Sequence, residues 1–495
     1  MVDQSVDLGA RLRESNADET IAFSGVWGGI RSLLAATLAR HVSHILMLLP
    51  EAADADLVAG DARTFGLTES YALPLSASDG RGTSVRDLDF AERLQVLQRL
   101  RHRDEETSPP VLLTAYIGGA MQMVPTPSQL QRSTRELKVG QVVPPEDVRK
   151  WLAESGFAST TAVQFPGEFA ARGGLLDIYS PDQPKPLRIE WFDDEIESIR
   201  QFDLSTQRSD CSLPDVSLAA IGSTGQPSMV ADSDSIPPSE SELELGSIAE
   251  YLPPDALVVL VDPQETQKSA EKLYARLADT TQFNRFEELL GSFSTHQVVT
   301  ATTLSEAGAD QAIDLKTSTA DSFATSLDET RQKVDTVAAE HEVLVVGDTA
   351  ADGERLTELL RDTDAARSGR LHMTVADLSG GFRLRDLGVL VLTGAELFHR
   401  SSVRRRTTRT RGKPINSALQ LEPGDLVVHL SHGVGLYRGI QHIDKNGQHL
   451  EHLTLEFDGG TKVHVPASRI GLIQRYVGGT KSQPKLAKIG GQAWA

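Results

Sequence analysis

A glycine-rich turn between an apolar run and a helical pattern constrains the fold of this chain more than any other stretch. The segment Phe23–Arg40 reads FSGVWGGIRSLLAATLAR, and the apolar residues after its turn recur at the spacing of one helical face. An apolar strand, a glycine-rich turn and a helix follow one another in the same way in a phosphate-binding loop. Further apolar strand patterns at 44–49 and 111–116 alternate with helical stretches. The sequence therefore predicts an α/β domain over residues 1–126.

The turn lacks residues that a working phosphate-binding loop requires. Such a loop reads G-x-x-x-x-G-K-[ST]: backbone N–H groups and the Lys hold phosphate, and the hydroxyl binds Mg²⁺. Gly25 and Ser32 keep the first and last positions, whereas Ile30 replaces the second glycine and Arg31 replaces the Lys. A Cβ at position 30 disfavours a positive-φ turn, and the planar fork of Arg does not reproduce a compact ammonium group. We predict that this loop, which also contains Gly28, is degenerate and binds no nucleotide.

Composition limits the domain count and the kind of partner. A chain of 495 residues is expected to form roughly three to five domains. Its net charge of −20 argues against general phosphate binding, so any nucleic-acid contact requires a local basic patch. The run 399–413 holds seven Lys or Arg in fifteen residues, which fits either an extended solvated linker or a contact with DNA or RNA phosphates.

Targeting signals are missing from the sequence. The single cysteine, Cys211, excludes an internal disulfide and indicates a reducing compartment. The polar N-terminus is unlike a signal peptide, and no apolar run approaches the ~18 residues of a transmembrane helix. We expect a soluble, cytoplasmic and monomeric protein without membrane contact. The sequence also shows no nucleophile, no HExxH motif and no paired catalytic carboxylates, so no catalytic residue is assigned.

Changes in composition and in the pattern of apolar residues divide the rest of the chain. After the buried strand pattern at 257–261 stands Asp262, where a Walker-type ATPase carries acidic residues, but Pro263 replaces the usual Glu. This end of the strand is predicted to be structural.

The predicted divisions after residue 126 are an inserted α+β module at 127–210, the returning part of the α/β domain at 211–320, a second small α/β domain at 325–400, a basic linker at 401–418, a small β-barrel at 419–479 and the start of a helix at 480–495.

The inserted module carries a family resemblance. The stretches PGEFAARGGLLDIYSP and RIEWFDDEIESIRQFDLSTQRS, within residues 163–209, resemble the module shared by the excision-repair protein UvrB and the bacterial transcription-repair coupling factors. In that family the module docks on UvrA, and the matching positions here are Arg172, Arg188 and Phe192. Arg and aromatic residues are enriched at interface hot spots. UvrB keeps an intact phosphate-binding loop at the aligned place, whereas the coupling factors, like this chain, have lost it.

The C-terminal segment carries a second resemblance. Residues 421–479 resemble the RNA polymerase-interacting domain of the coupling factors, related to the CarD regulators and expected to be a small CarD/Tudor-like barrel. The resemblance implies that an edge strand over 436–443 pairs with the polymerase β subunit, with Ile443 at the contact position beside Tyr437 and Ile440. Six histidines in this segment raise the alternative of a zinc site, but each H-x-x-H pair places its members on opposite faces of a strand. No metal site is therefore predicted.

Two functions from different classes follow. The first is an adaptor that links RNA polymerase stalled at DNA damage to UvrA in nucleotide excision repair. The alternative is a UvrB-like ATP-dependent helicase or damage-binding enzyme. Full-length coupling factors continue into an ATP-dependent DNA translocase, whose GKT and DExH motifs do not occur in this sequence. We therefore expect this chain to be a natural or truncated part of such a protein, without enzyme activity or an ATP or Mg²⁺ cofactor of its own.

Overall fold

The computed structural model describes residues 20–76, 88–104, 107–204, 206–219, 244–277, 279–304, 309–320, 327–398, 413–414, 424–429, 433–445, 448–466, 473–475 and 486. The chain forms two compact units, Met1–Ser402 and Val403–Ala495. Both contain β-sheet, and the first also contains helices packed on its sheets, so the expected mixed α/β, multi-sheet fold is confirmed. In the described part of the chain, no helix has both the length and the apolar surface to cross a bilayer.

A seven-stranded sheet with every strand parallel organises the first unit. Its central strand, Leu257–Val261, is apolar and buried along its whole length, as is typical of a parallel sheet with helices on both faces. In sheet order the strands are Gln311–Asp314, Ile21–Ser24, Gln297–Thr302, Leu257–Val261, His44–Leu49, Val111–Tyr116 and Glu69–Leu73. The helices of this part are Ile30–Leu38, Ala52–Thr64, Leu88–Arg101, Ile117–Met121, Pro263–Tyr274 and Phe286–Ser292, with a 3₁₀ turn at Ile248–Tyr251. The first strand therefore lies between two strands contributed by residues close to 300.

A separate module, which we call the inserted module (residues 134–219), is built from the chain between the sheet strands Val111–Tyr116 and Leu257–Val261. Its six-stranded sheet has the order Ser209–Leu213, Glu195–Phe202, Leu187–Phe192, Leu175–Tyr179, Glu168–Arg172 and Ala158–Ser159. The pairings are antiparallel except for the last one, which is parallel. The helix Pro145–Glu154 packs Val148 and Leu152 into a core with Ile178, Ile189 and Trp191.

Two short pairings close the inserted module. Thr134–Lys138 pairs antiparallel with Asp215–Ala219, a segment that the sequence division places in the returning part of the α/β domain. Val124–Pro125 pairs with Leu245–Gly246, just outside the helix Pro127–Arg132. The chain thus leaves and re-enters the parallel-sheet domain at neighbouring points, as an insertion requires.

A second α/β domain follows, with a mixed five-stranded sheet. Its strand order is Thr317–Thr319, Phe382–Leu384, Val389–Thr393, Glu342–Gly347 and Leu371–Val375. The last three strands are parallel and the first two pair antiparallel. Its helices are Leu327–Ala338, Ala350–Leu360, Asp364–Arg367 and Gly394–Phe398. The strand at 317–319 precedes the predicted start of this domain at 325, because it pairs with Phe382–Leu384 and not with the parallel sheet.

The two α/β domains share one hydrophobic core. Phe23 and Ile30 of the first domain belong to the same buried cluster as Leu378 and Phe382 of the second. Polar contacts reinforce this packing, since the buried Asp61 carboxylate accepts the backbone N–H of Ser379 at 2.9 Å and also its hydroxyl. The sequence predicts two α/β domains, and the structure joins them into one folded body.

The second unit is an antiparallel sheet with a small core. Its strand order is Lys413–Pro414, Ile473–Arg475, Leu426–His429, Gly433–Lys445, Gln448–Glu456 and Lys462–Pro466, and a 3₁₀ turn spans Asp458–Gly460. Buried Tyr437, Leu453, Leu455 and Phe457 form the centre of the core. Gly435 allows the Phe457 ring to pack closely, since an added Cβ would lie 3.1 Å from that ring. Among the described strands the sheet is open, and the closed barrel stays a prediction.

Candidate partner-binding surfaces and the glycine-rich loop

Arg31, the charged residue of the loop after the first strand, is paired with acidic residues of the protein. Arg31 donates one guanidinium N–H to the Asp54 carboxylate at 2.5 Å and another to Asp262 at 3.2 Å, and its side chain is only 14% exposed. Asp262 is the acidic residue that follows the buried strand Leu257–Val261. Two carboxylates therefore surround the cation that replaces the phosphate-binding Lys, and they oppose the approach of a phosphate group.

The hydroxyl and the glycines of the loop also contact protein. Ser32 is fully buried and donates its Oγ–H to the carbonyl oxygen of Val58 at 3.1 Å. A Cβ at Gly29 would come within 2.9 Å of the Gly380 carbonyl oxygen and 3.2 Å of the Phe382 ring. The second α/β domain is therefore packed directly against the turn.

Two glycines of the loop have backbone conformations that favour glycine. Gly25 has φ +78° and Gly28 has φ +34°, backbone conformations that side chains with a Cβ adopt at a cost. The carbonyl oxygen of Gly25 accepts the hydroxyl of Thr317. Of the four loop residues named from the sequence, Gly25 and Gly28 lie in the turn, and Arg31 and Ser32 lie in the first turn of the helix Ile30–Leu38.

Three residues of the inserted module predicted to contact UvrA lie on one face of its sheet. Arg172 pairs with Leu175, and Leu175 pairs with Glu190 on the next strand. Glu190 stands between Arg188 and Phe192 on its own strand. Directly opposed residues, and residues two apart on one strand, share a face of a sheet. The structure therefore groups the predicted contact residues on a single surface.

Arg188 is held by its neighbours on that surface. Its guanidinium donates to both oxygens of Asp177, Nε to Oδ1 at 2.7 Å and Nη2 to Oδ2 at 2.9 Å. It also lies over the Phe202 ring, 4.7 Å from the ring centroid, and its side chain is 23% exposed. The hydrogen bonds that Arg188 donates to the Asp177 carboxylate raise the pKa of the Arg188 guanidinium above its usual range. Arg188 therefore links three strands of the sheet and presents little free charge.

Arg172 and Phe192 are far more accessible. Arg172 is exposed, and its guanidinium donates to the Thr161 carbonyl oxygen at 2.5 Å. Phe192 is 72% exposed, whereas Trp191 beside it on the same strand is 7% exposed. An exposed aromatic ring beside a cation has the composition of an interface hot spot.

Sequence reasoning missed one exposed apolar residue beside this surface. Val142 is 74% exposed and forms an isolated antiparallel bridge with Glu195, which pairs directly with Phe192. The signal was present in the sequence, because adjacent residues of an extended chain point to opposite sides. Val143 is buried, so Val142 faces outward.

The strand predicted to pair with polymerase has an open edge over much of its length. Gly433–Lys445 pairs with Leu426–His429 through its first residues only, and with Gln448–Glu456 along nearly its whole length. A bulge interrupts the second pairing beside Gly439, which has φ +111°. From residue 438 onwards, no described strand pairs with the other edge of this strand.

The structure alters the predicted set of polymerase contacts. Tyr437 is 2% exposed and belongs to the core of the second unit, so it does not fit the predicted role of a surface contact. Ile440 is opposite Leu453, and Ile443 is opposite Leu450, in the strand register. The side chains of Ile440 and Ile443 lie outside the described residues, as do those of the six histidines and almost all of the basic run 399–413.

Comparison with known proteins covers both surfaces. Residues 136–221 match the family described as the UvrB interaction domain, and residues 421–477 match the CarD-like/TRCF RID domain. The first match coincides with the inserted module and the second with the antiparallel sheet of the second unit. The two matches define a class of protein that combines a UvrB interaction domain with a CarD-like domain in one chain.

Similarity over nearly the whole chain agrees with these two matches. The chain is 24% identical over 569 residues to a protein named transcription-repair-coupling factor from Bacillus subtilis, covering 98% of this chain and 47% of that protein. It is 25% identical over 483 residues to the protein of the same name from Staphylococcus haemolyticus, covering 82% of this chain and 40% of the relative. The chain thus spans about half the length of these curated relatives. The resemblance to transcription-repair coupling factors predicted from the sequence is confirmed.

Proposed function

We propose that this chain is the adaptor part of a transcription-repair coupling factor, with one surface for UvrA and another for RNA polymerase. The observation that carries the proposal is the presence of two interaction-domain matches on one chain, at residues 136–221 and 421–477. In this proposal, the chain links polymerase stalled at DNA damage to the recruitment of UvrA.

The geometry supports a different partner for each of the two surfaces. On the inserted module, exposed Phe192 and Arg172 offer an aromatic anchor and a cation to UvrA. On the second unit, no described strand pairs with one edge of Gly433–Lys445 from residue 438 onwards, and a strand of the polymerase β subunit can extend the sheet there by β-addition. Ile443 remains the proposed specificity contact on that edge.

We propose further that this chain binds no nucleotide and performs no ATP hydrolysis. Support comes from Arg31, which is paired with Asp54 and Asp262, and from Ser32, whose hydroxyl is directed to Val58. A UvrB-like helicase requires the cationic and hydroxyl groups of this loop for phosphate and Mg²⁺. The basic run 399–413 stays a proposed linker with a possible phosphate-contact role, to be decided by DNA binding of the whole chain.

A sequential binding experiment tests the adaptor role. Purified RNA polymerase core is immobilised on a biosensor, the chain is added, and UvrA is added last. We expect the chain to bind, and UvrA to bind only after the chain is present. Phe192→Ala should remove the UvrA step alone, and Ile443→Arg should remove the binding of the chain to polymerase. If UvrA and the chain compete for polymerase, or if neither partner binds, the adaptor proposal is wrong.

A further inference from the structure

Val142, Glu195 and Phe192 form a row across three adjacent stretches of chain at one end of the inserted module. Val142 bridges to Glu195, and Glu195 is opposite Phe192 at the end of the hairpin. Opposed residues of adjacent strands lie about 4.5–5.5 Å apart at Cβ and on the same face. The row therefore places the two most exposed apolar side chains of the described inserted module, at 74% and 72%, on either side of one carboxylate-bearing residue.

The stability of the module does not require these side chains to be apolar. The row is attached to the core by main-chain bonds, from Val143 N–H to the Asp194 carbonyl oxygen at 2.7 Å and from Ile196 N–H to the Gln141 carbonyl oxygen at 2.9 Å. The indole N–H of Trp191 also bonds the Val143 carbonyl oxygen at 2.9 Å. Val142 itself contributes an outward side chain, and exposed apolar side chains grouped together with polar residues around them are typical of an interaction surface.

Two charged side chains near the row, those of Glu195 and Arg172, form no ion pair with another described residue. Within the described residues, the Glu195 carboxylate has no ion-pair partner, and its Oε1 faces the turn at Gly140. Arg172, on the same sheet face, donates to a main-chain oxygen and not to a carboxylate. In contrast, Arg188 and Arg200 on this face are each paired with an acidic residue.

We infer that Val142 and Phe192 together form a two-point apolar anchor for UvrA, with Glu195 between them facing a basic group of that partner. This inference rests on the proposed function, because the occupant is the same protein that the module is proposed to bind. It adds Val142 and Glu195 to the contact set, and it assigns Arg188 to the support of the sheet. The matching surface of UvrA presents an apolar pocket beside a cation.

The first experiment measures the affinity of the whole chain for purified UvrA by biolayer interferometry. Val142→Ser is expected to weaken binding roughly tenfold and Phe192→Ala roughly thirtyfold, as hot-spot truncations do. Leu304→Ser is the matched control, because Leu304 is also 72% exposed but lies in the parallel-sheet domain. It should leave the affinity within twofold of the unmodified chain.

Coupling between the two anchors provides a stricter test. If both side chains occupy one pocket, Val142→Ser should weaken binding less in a Phe192→Ala background than in the unmodified chain. Glu195→Gln should lower the association rate and its dependence on salt, because one steering charge is removed. Equal effects of Val142→Ser in both backgrounds contradict the shared pocket.

The outcomes distinguish the inference from the proposal on which it rests. Absence of UvrA binding by the unmodified chain refutes the proposed function itself. Binding that is weakened by Phe192→Ala but unchanged, relative to Leu304→Ser, by Val142→Ser refutes the two-point anchor and leaves the adaptor role intact. Melting temperatures of Val142→Ser and the unmodified chain should agree, since the substituted side chain is 74% exposed.

Discussion

Replacing Arg188 by Ala should destabilise the inserted module as well as any interface that it forms. Sequence reasoning places Arg188 at the surface, where truncation has little effect on folding. The structure instead joins its guanidinium to both oxygens of Asp177 and stacks it on Phe202. The substitution removes these contacts and leaves the Asp177 carboxylate, 17% exposed, without its partner.

The expected magnitude follows from the contacts that are lost. Hydrogen bonds to charged groups contribute about 1.5–3 kcal/mol when one partner is removed from a partly buried site. The stack on an aromatic ring contributes ~0.5–1 kcal/mol. Because Arg188 remains 23% exposed, solvent reduces the sum, and we expect a loss of about 2 kcal/mol in the free energy of unfolding of the module.

Urea unfolding monitored by hydrogen exchange measures this loss of stability within the inserted module. Faster exchange is expected in peptides covering 187–202, together with a urea midpoint lower by roughly 1 M for a slope of about 2 kcal/mol per M. Arg172→Ala is the matched control, because its exposed guanidinium contacts a single carbonyl oxygen. It should change stability by less than ~0.5 kcal/mol.

A double-mutant cycle identifies the ion pair as the cause. Asp177→Ala and Arg188→Ala should be coupled, so that the double variant is more stable than the sum of the single losses predicts. The reasoning is refuted if Arg188→Ala unfolds at the same urea concentration as Arg172→Ala. UvrA affinities of these variants must be measured well below their melting temperatures, so that loss of contact is separated from loss of structure.

Four further outcomes are expected. Titration with a fluorescent ATP analogue should show no saturable binding, and micromolar binding abolished by Arg31→Ala would contradict the loop geometry. Tyr437→Ala should cost ~3–5 kcal/mol and make the second unit sensitive to proteolysis, because this ring is 2% exposed; resistance equal to the unmodified chain counts against the core assignment. Ile443→Arg should leave that unit folded by circular dichroism while polymerase binding is lost, and a folded variant that still binds argues against the open edge. Burial lowers the pKa of His44 to about 4 and raises the pKa of Asp182 to about 6. His44 therefore costs stability as the pH falls from 6.5 to 4, when only the unfolded chain gains its proton, whereas Asp182 adds stability as the pH falls from 6 to 4. Urea midpoints should fall more steeply on acidification for Asp182→Asn and less steeply for His44→Gln, and parallel curves would exclude both assignments.

Strong local patterns made much of the fold predictable. Continuous apolar runs such as Leu257–Val261 indicate buried strands, and this run is a fully buried strand of the parallel sheet. The sequence pattern did not reveal the shared core of the two α/β domains, because Phe23 and Phe382 are far apart in the chain and meet only in the folded structure. Periodicity reports which face is buried, but not what covers it.

The candidate sites show the same limit at single residues. The family resemblance predicted that Phe192 is part of a surface, but it could not show that Arg188 is bound to Asp177, since that contact depends on strand register. Tyr437 was placed at the surface from a resemblance, although a bulge beside Gly439 shifts the alternation of its strand. Registers and bulges arise from pairing between strands, which a linear pattern does not encode.

The interleaved order of the parallel sheet affects how the protein folds during synthesis. Ile21–Ser24 needs Gln297–Thr302 and Gln311–Asp314 as its neighbours, so this strand remains unpaired until about 290 more residues have been made. At ribosomal rates of ~5–20 residues per second, the delay is roughly 15–60 s. The inserted module at 134–219 draws its strands from contiguous chain and can fold as it emerges. Nascent chains are therefore expected to carry a folded inserted module while the apolar strand Ile21–Ser24 is still without its neighbours.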